Sequence, residues 1–171
     1  MRVSRCVPLW AALRVLVVVA LGFLATACGD SEPNAVASPT PSSSPSFRAA
    51  TALIDTDGGS VLLEVEVARS RDEQERGLMG RVSLPDDHGM AFVFVEPTTG
   101  GFWMKDTKIP LSIAFIGTDG RIQEIQHMDP CLTETCPIYA PAGLYDVALE
   151  VNQGKFEEAG IKVGDKVTLS F

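Results

Sequence analysis

The chain has 171 residues, 46% of them hydrophobic and 21% charged, with a formal charge of -8 at pH 7. Length and apolar content provide for one domain with a real core. The acidic balance argues against nucleic acid or an anionic lipid surface as the main partner.

In chain order, Arg2, Arg5 and Arg14 precede VLVVVALGFLATA at 15–27, an apolar run shorter than a spanning helix usually needs, and Cys28 follows directly. This reads as a secretion signal over 1–27. Its end, LATAC, resembles a bacterial lipoprotein signal, in which Cys28 becomes the acylated first residue of the mature chain. Where that pattern favours Leu, three residues before the Cys, Ala25 stands, with Leu24 one place further back. An ordinary cleaved signal and an uncleaved anchor are the alternatives. Export removes three Arg and no acid, so the formal charge moves from -8 to -11.

GDSEPNAVASPTPSSSPS at 29–46 is Ser- and Pro-rich and nearly free of large apolar side chains, so it reads as a flexible tether after Cys28. The globular domain is expected over 48–171. With Cys6 lost and Cys28 lipidated, Cys131 and Cys136 remain. An even pair in an exported domain is most simply a disulfide. A metal there needs further ligands, and only His127 is near in sequence.

Within the domain, ATALI at 50–54, a DTDGGS turn and SVLLEVEVA at 60–68 predict a hairpin. Val61, Leu63, Val65 and Val67 fall on one face and Glu64 and Glu66 on the other. SRDEQERGLM changes period: Ser70 with Glu73 makes a capping box, Asp72 and Arg76 sit four apart, and Gly77 stops a short helix. MAFVFV at 90–95 is apolar on both faces. LSIAFI at 111–116 and RIQEIQHM at 121–128 flank a GTDG turn. LYDVALEV at 144–151 alternates, with Tyr145, Val147, Leu149 and Val151 inward and Asp146, Ala148 and Glu150 opposite. FEEAG at 156–160 makes one helical turn stopped by Gly160, and KVTLSF is a last strand. About seven short strands with one short helix predict a mainly β fold, a β-sandwich or small barrel-like domain. No nucleotide-binding loop or dinucleotide fingerprint is present.

Several of these segments, taken in order, are ERGLMGR at 75–81, GMAFVF at 89–94, FWMKDT at 102–107, IPLSIAFIGTDGRI at 109–122, ALEVNQG at 148–154 and GIKVGD at 160–165. With them the domain resembles the bacterial and archaeal family of domain of unknown function 192. The resemblance implies a compact β-rich domain, often exported, and implies no activity. The family's pattern usually has Asn where this chain has Asp106, and Asp where it has Ser112.

FWMKDT is the candidate site. In one reading Phe102 and Met104 enter the core, Trp103 packs under the Lys105 stem, and Asp106 with Thr107 begins a turn. In another, Trp103 stacks on a small anionic or sugar-like ligand, with Lys105, Asp106, Arg76 and Arg81 around it. In a third, Lys105 pairs with Glu150 or Asp146 as a buried brace. Met79, Met90, Met104 and His88 offer soft donors that suit Cu(I), although methionines more often fill cores. Catalysis has the least support: no Ser, His and Asp arrangement, free thiol nucleophile or HExxH is legible.

The sequence therefore predicts a lipid-anchored extracytoplasmic monomer without cofactor, a binding module for a small ligand or an envelope protein. The alternative is a structural or accessory envelope protein. Mass spectrometry of the mature N-terminus is expected to find acylated Cys28; an unmodified residue there contradicts the anchor.

Overall fold

The computed structural model describes residues 46–171. The signal segment, Cys28 and all of the tether before Ser46 lie outside the described residues.

β1 (Arg48–Thr56) and β2 (Gly59–Ala68) form the expected hairpin, with Ile54 opposite Val61. Leu63 and Val65 enter a core, and Glu64 and Glu66 point the other way, because the side-chain period of a strand is two. The chain then crosses over through α1 (Arg71–Arg76) to β3 (His88–Thr98), which runs parallel to β2.

A capping box starts α1. The Ser70 hydroxyl accepts the Glu73 N–H at 3.3 Å, and the Glu73 carboxylate accepts the N–H groups of Ser70 and Arg69 at 2.8 and 2.9 Å. Those bonds hold the Glu73 carboxyl below its usual range. The four-apart ion pair is Arg71 with Glu75 at 2.7 Å; Asp72 and Arg76 do not pair. Gly77 ends the helix at φ 44°, ψ -136°, where a Cβ would also come within 3.3 Å of the Phe92 ring.

The remaining elements are β4 (Phe102–Trp103), β5 (Leu111–Ile116), β6 (Ile122–Met128), β7 (Ile138–Tyr139), β8 (Tyr145–Asn152), α2 (Lys155–Glu158) and β9 (Lys166–Ser170). Seven strands form one mixed sheet in the order β6-β5-β8-β3-β2-β1-β9, and β4 pairs with β7 in a small second sheet. The large sheet rolls until its edges meet at one end, where Val167 N–H donates to Gly120 O and Gly164 N–H to Ile122 O, both at 2.8 Å. The edges share one isolated strand-pairing position, Arg121 with Lys166, and no continuous ladder, so the barrel does not close.

The two faces of this sheet bury separate cores. Inside the roll lie Ile54, Leu63, Val65, Leu149, Val151 and Val167, with Phe156 of α2 fully buried among them. On the outer face Met90, Phe92, Ile113 and Phe115 are covered by Leu78, Met104 and Ile109 from the connections. The small sheet adds Phe102, which stands edge-on to Phe92 with ring centroids 4.9 Å apart.

The mainly β expectation holds, with nine strands and two short helices among the described residues rather than seven and one. The two-residue strands β4 and β7 carry too little periodicity to be seen beforehand. In β8 the face assigned away from the core is not wet. Ala148 and Glu150 are buried, because the segments holding α1 and β4 lie over that face.

Gly89, opposite Val151, allows β3 and β8 to approach: a Cβ there would fall 2.6 Å from the main-chain oxygen of Glu150. Since no rotamer relieves a clash with backbone, Gly89→Ala is expected to cost about 1–3 kcal/mol of stability in urea unfolding. An unchanged midpoint with an unchanged slope would refute this close approach.

Candidate functional site

β8 lies between β5 and β3, and its register sets Glu150 opposite Ile113 on one side and Met90 on the other. The Glu150 side chain therefore projects from the outer face into the core under α1 and β4. Residue exposure is only 4%. Among the described residues no donor or cation bonds its carboxyl, and burial alone raises its pKa from 4.5 to about 8.

Glu150 lines a chamber of about 30 Å³, roofed by the C-terminal turn of α1 with Leu78 and Met79, and by Phe102, Trp103 and Thr107. Next to it runs a groove of about 240 Å³ between α1 and β4. Both are lined by Gln74, Glu75, Phe92, Phe102 and Trp103, so the chamber is the inner end of one cleft. Phe94 and Tyr145 wall its outer part, and the Tyr145 hydroxyl donates to Gly100 O at 2.7 Å, holding the turn before β4. Burial pushes that phenol up to about 12.

FWMKDT turns its alternate residues as the core reading expected: Met104 is buried, and Trp103 is 51% exposed at the cleft. Lys105 departs from both the stacking and the brace readings. Its ammonium reaches Thr133 O at 3.3 Å and Glu134 at 3.7 Å in the loop closed by the Cys131–Cys136 disulfide, leaving Glu150 and Asp146 without it. The same loop holds the main chain of the motif, since Asp106 N–H donates to Cys131 O at 3.0 Å.

Asp106 is exposed and has φ 54°, a left-handed conformation that Asn and Asp tolerate better than most residues. Its role in the cleft is therefore conformational, through the backbone it bends. Arg81 is ion-paired with Glu66 and does not line the cleft. Arg76 lines the chamber; its side chain lies on the far face of α1 from Gln74, whose amide donates to Val93 O at 3.1 Å. Of the six candidates, the structure brings Trp103, Glu150 and Arg76 together.

The methionines and His88 do not converge. Met79 lines the chamber. Met90 and Met104 fill the outer core, while His88 lies between Asp87 at 2.7 Å and Glu64 at 3.3 Å. Among the described residues, no three His, Cys, Asp or Glu side chains gather as metal ligands would. A larger depression of about 440 Å³ over β1 and β2 is bordered by Glu64, Glu66 and His88, all already paired.

One arrangement was not legible in the sequence. Ser112 Oγ lies 2.9 Å from His127 Nδ1, and His127 Nε2 lies 3.3 Å from Glu157. The order resembles a hydrolytic triad, but Ser112 has no exposed surface and accepts the Gly154 N–H at 3.0 Å. An oxygen so enclosed cannot reach a substrate carbonyl. The cluster fastens β5 and β6 to the turn before α2.

Burial of Glu150 makes stability depend on pH. The folded state holds this proton more tightly than the unfolded chain, so the stabilisation is complete below about pH 4.5 and is lost as pH rises to about 8. The loss is on the order of 4 kcal/mol. Glu150→Gln is expected to flatten this slope in urea unfolding from pH 5 to 8; equal slopes would contradict the assignment.

Comparison with known proteins places these segments in a family. The profile of DUF192, described as an uncharacterized ACR, matches residues 52–169. No curated protein matches the chain. A crystal structure from Sinorhizobium meliloti 1021, described as that of a candidate transcription regulator, is 31% identical with a TM-score of 0.66, over 72% of this chain and 95% of that one. A protein of unknown function from Novosphingobium aromaticivorans DSM 12444 is 34% identical with a TM-score of 0.67, over 75% of this chain and 89% of the other. The match over 52–169 spans nearly the whole described fold, and the chain belongs to the DUF192 family.

Proposed function

We propose that the domain is a small-ligand binding module, held at the outer face of a membrane by an acylated Cys28, and that the cleft between α1 and β4 is its site. One observation carries this reading: the Glu150 carboxyl, on a residue only 4% exposed and without a hydrogen-bond partner among the described residues, lines the inner end of an open cleft. Burying an ionisable group without a hydrogen bond costs several kcal/mol relative to an apolar side chain of the same shape. Folding alone gains nothing from it there, whereas a ligand that bonds it converts that cost into affinity.

The walls suit the task. Phe92, Phe94, Phe102, Trp103 and Tyr145 offer apolar faces that can bury the body of a ligand, and Gln74 and Glu75 border them with polar atoms. Trp103, half exposed at the cleft, is placed to pack over whatever enters. The disulfide loop and the Tyr145 hydroxyl hold β4 from its two ends, so the site is largely formed before a ligand arrives, which limits the ordering cost of binding. Among the described residues no helix is long and apolar enough to cross a membrane. On this reading attachment falls to the segment ending at Cys28.

Thermal unfolding of the oxidised protein against a panel of amines, carboxylates, sugars and nucleotides tests the site. A ligand that binds only the folded state raises the midpoint, by about 2.7 kcal/mol of added stability at a hundredfold excess over Kd. The rise is expected to vanish in Trp103→Ala and Glu150→Gln and to persist in Lys105→Ala. A rise that survives Trp103→Ala and Glu150→Gln but disappears in Lys105→Ala would move the site to the disulfide loop.

A further inference from the structure

The chamber at Glu150 and the groove beside it differ in size and chemistry, and the difference specifies a ligand. At about 30 Å³ the chamber holds a group the size of one water molecule, against about 240 Å³ for the groove. Its polar head is Glu150, 4% exposed and without a donor among the described residues. The ligand therefore needs a small terminal group that meets a carboxyl oxygen and a longer apolar body that fills the groove.

The charged groups around the chamber decide the sign of that terminal group. From α1, Glu75 lines it, with its carboxylate bonded to Arg71 at 2.7 Å. Arg76 contributes wall, with its side chain on the far face of α1 from Gln74. From β2, Glu66 shares the row of Glu150 beyond Met90 and is neutralised by Arg81. From β4 onward, Lys105 is directed into the disulfide loop, and the Thr107 hydroxyl faces Lys105 O at 3.5 Å. β5 supplies Ile113. An incoming carboxylate would find the Arg76 side chain turned to the far face of α1 and would have only the protonated Glu150 carboxyl to bond, beside the Glu75 carboxylate.

A cation finds the opposite. The C-terminal turn of α1 roofs the chamber, and the C-terminal end of a helix carries partial negative charge. The rings of Phe92, Phe102 and Trp103 line the chamber, and aromatic rings attract ammonium groups through their π faces. The acidic chain adds a long-range field of the same preference.

We propose that the Glu150 chamber seats a primary ammonium group carried on an apolar stem, with the stem lying in the groove along Phe102 and Trp103. This rests on the reading of the cleft as a binding site. On binding, Glu150 gives its proton to solvent and its carboxylate takes N–H donors of the ammonium, so the pair enters with no net charge. Larger heads are excluded by volume: a trimethylammonium group does not fit a space of about 30 Å³.

Isothermal titration of the oxidised protein tests this with n-hexylamine, 2-phenylethylamine, hexyltrimethylammonium and 3-phenylpropanoate. The two primary amines are expected to bind, and hexyltrimethylammonium to bind at least tenfold more weakly. With Glu150 titrating at about 8 in the free protein, hexylamine binding should tighten about tenfold from pH 7 to pH 9. Glu150→Gln, which keeps the size of the side chain, should remove that pH dependence. Circular dichroism of the variant checks that it is folded.

Nα-acetyl-lysine methylamide separates two sources of the same group. Tighter binding than hexylamine assigns the ammonium to a lysine of a polypeptide, and weaker binding to a free amine. Binding of 3-phenylpropanoate without either amine overturns the ammonium proposal and leaves the cleft a site. Amine binding that is unaltered in Glu150→Gln overturns it as well. Silence from every probe here, joined to silence from the wider panel, overturns the site itself.

Discussion

A carboxyl group in the outer core is costly to bury. β8 carries Glu150 between Met90 and Ile113, where a side chain of similar length without charge would pack at no electrostatic cost. Burial alone holds its proton on at neutral pH, since neither Lys105 nor Arg81 reaches it. The cost is tolerated because the surrounding structure is over-determined. A rolled seven-stranded sheet buries one core inside it, and helix, small sheet and disulfide loop bury another on its outer face.

That second core is assembled from connections, and this is why the cleft lies there. Regular strands cover the interior of the roll, whereas the outer face is covered by α1, β4 and the loop around Cys131. Each cover is fixed by a local device. A capping box starts α1 and Gly77 ends it, edge-on aromatic contacts seat Phe102, and the main chain at Cys131 pins Asp106. Covers fixed independently need not meet perfectly. The gap between α1 and β4 is where these two fail to meet, with Trp103 at its border and Glu150 at its base.

Much of the scaffold was legible in the sequence because its signals are local. Alternation in SVLLEVEVA, the GTDG turn and the Ser70–Glu73 box each act within a few residues, and each element formed where they indicate. The face of Glu150 was misread because an alternating strand in a sheet covered on both sides looks the same as one with a wet face. Cover comes from α1 and β4, distant in sequence. Lys105 drew attention because strand alternation puts it on the face of Trp103, but β4 ends at Trp103, and the Lys105 ammonium went to the disulfide loop. Gln74 could have been found, since with Arg71, Glu75 and Leu78 it falls on one helical face. Nothing in the sequence joins Ser112 to His127 and Glu157; only the register of β5 with β6 and the turn into α2 do so.

The central claim is that Glu150 is a protonated acid at neutral pH, buried and without a hydrogen-bond partner among the described residues until a ligand reaches it. Carbon-13 NMR of the oxidised protein, with the Glu150 carboxyl resonance assigned by its loss in Glu150→Gln, follows this group alone. The account predicts a titration midpoint near 8 in the free protein. A midpoint near the ordinary 4.5 would mean that water or a cation already reaches the carboxylate, and would contradict it.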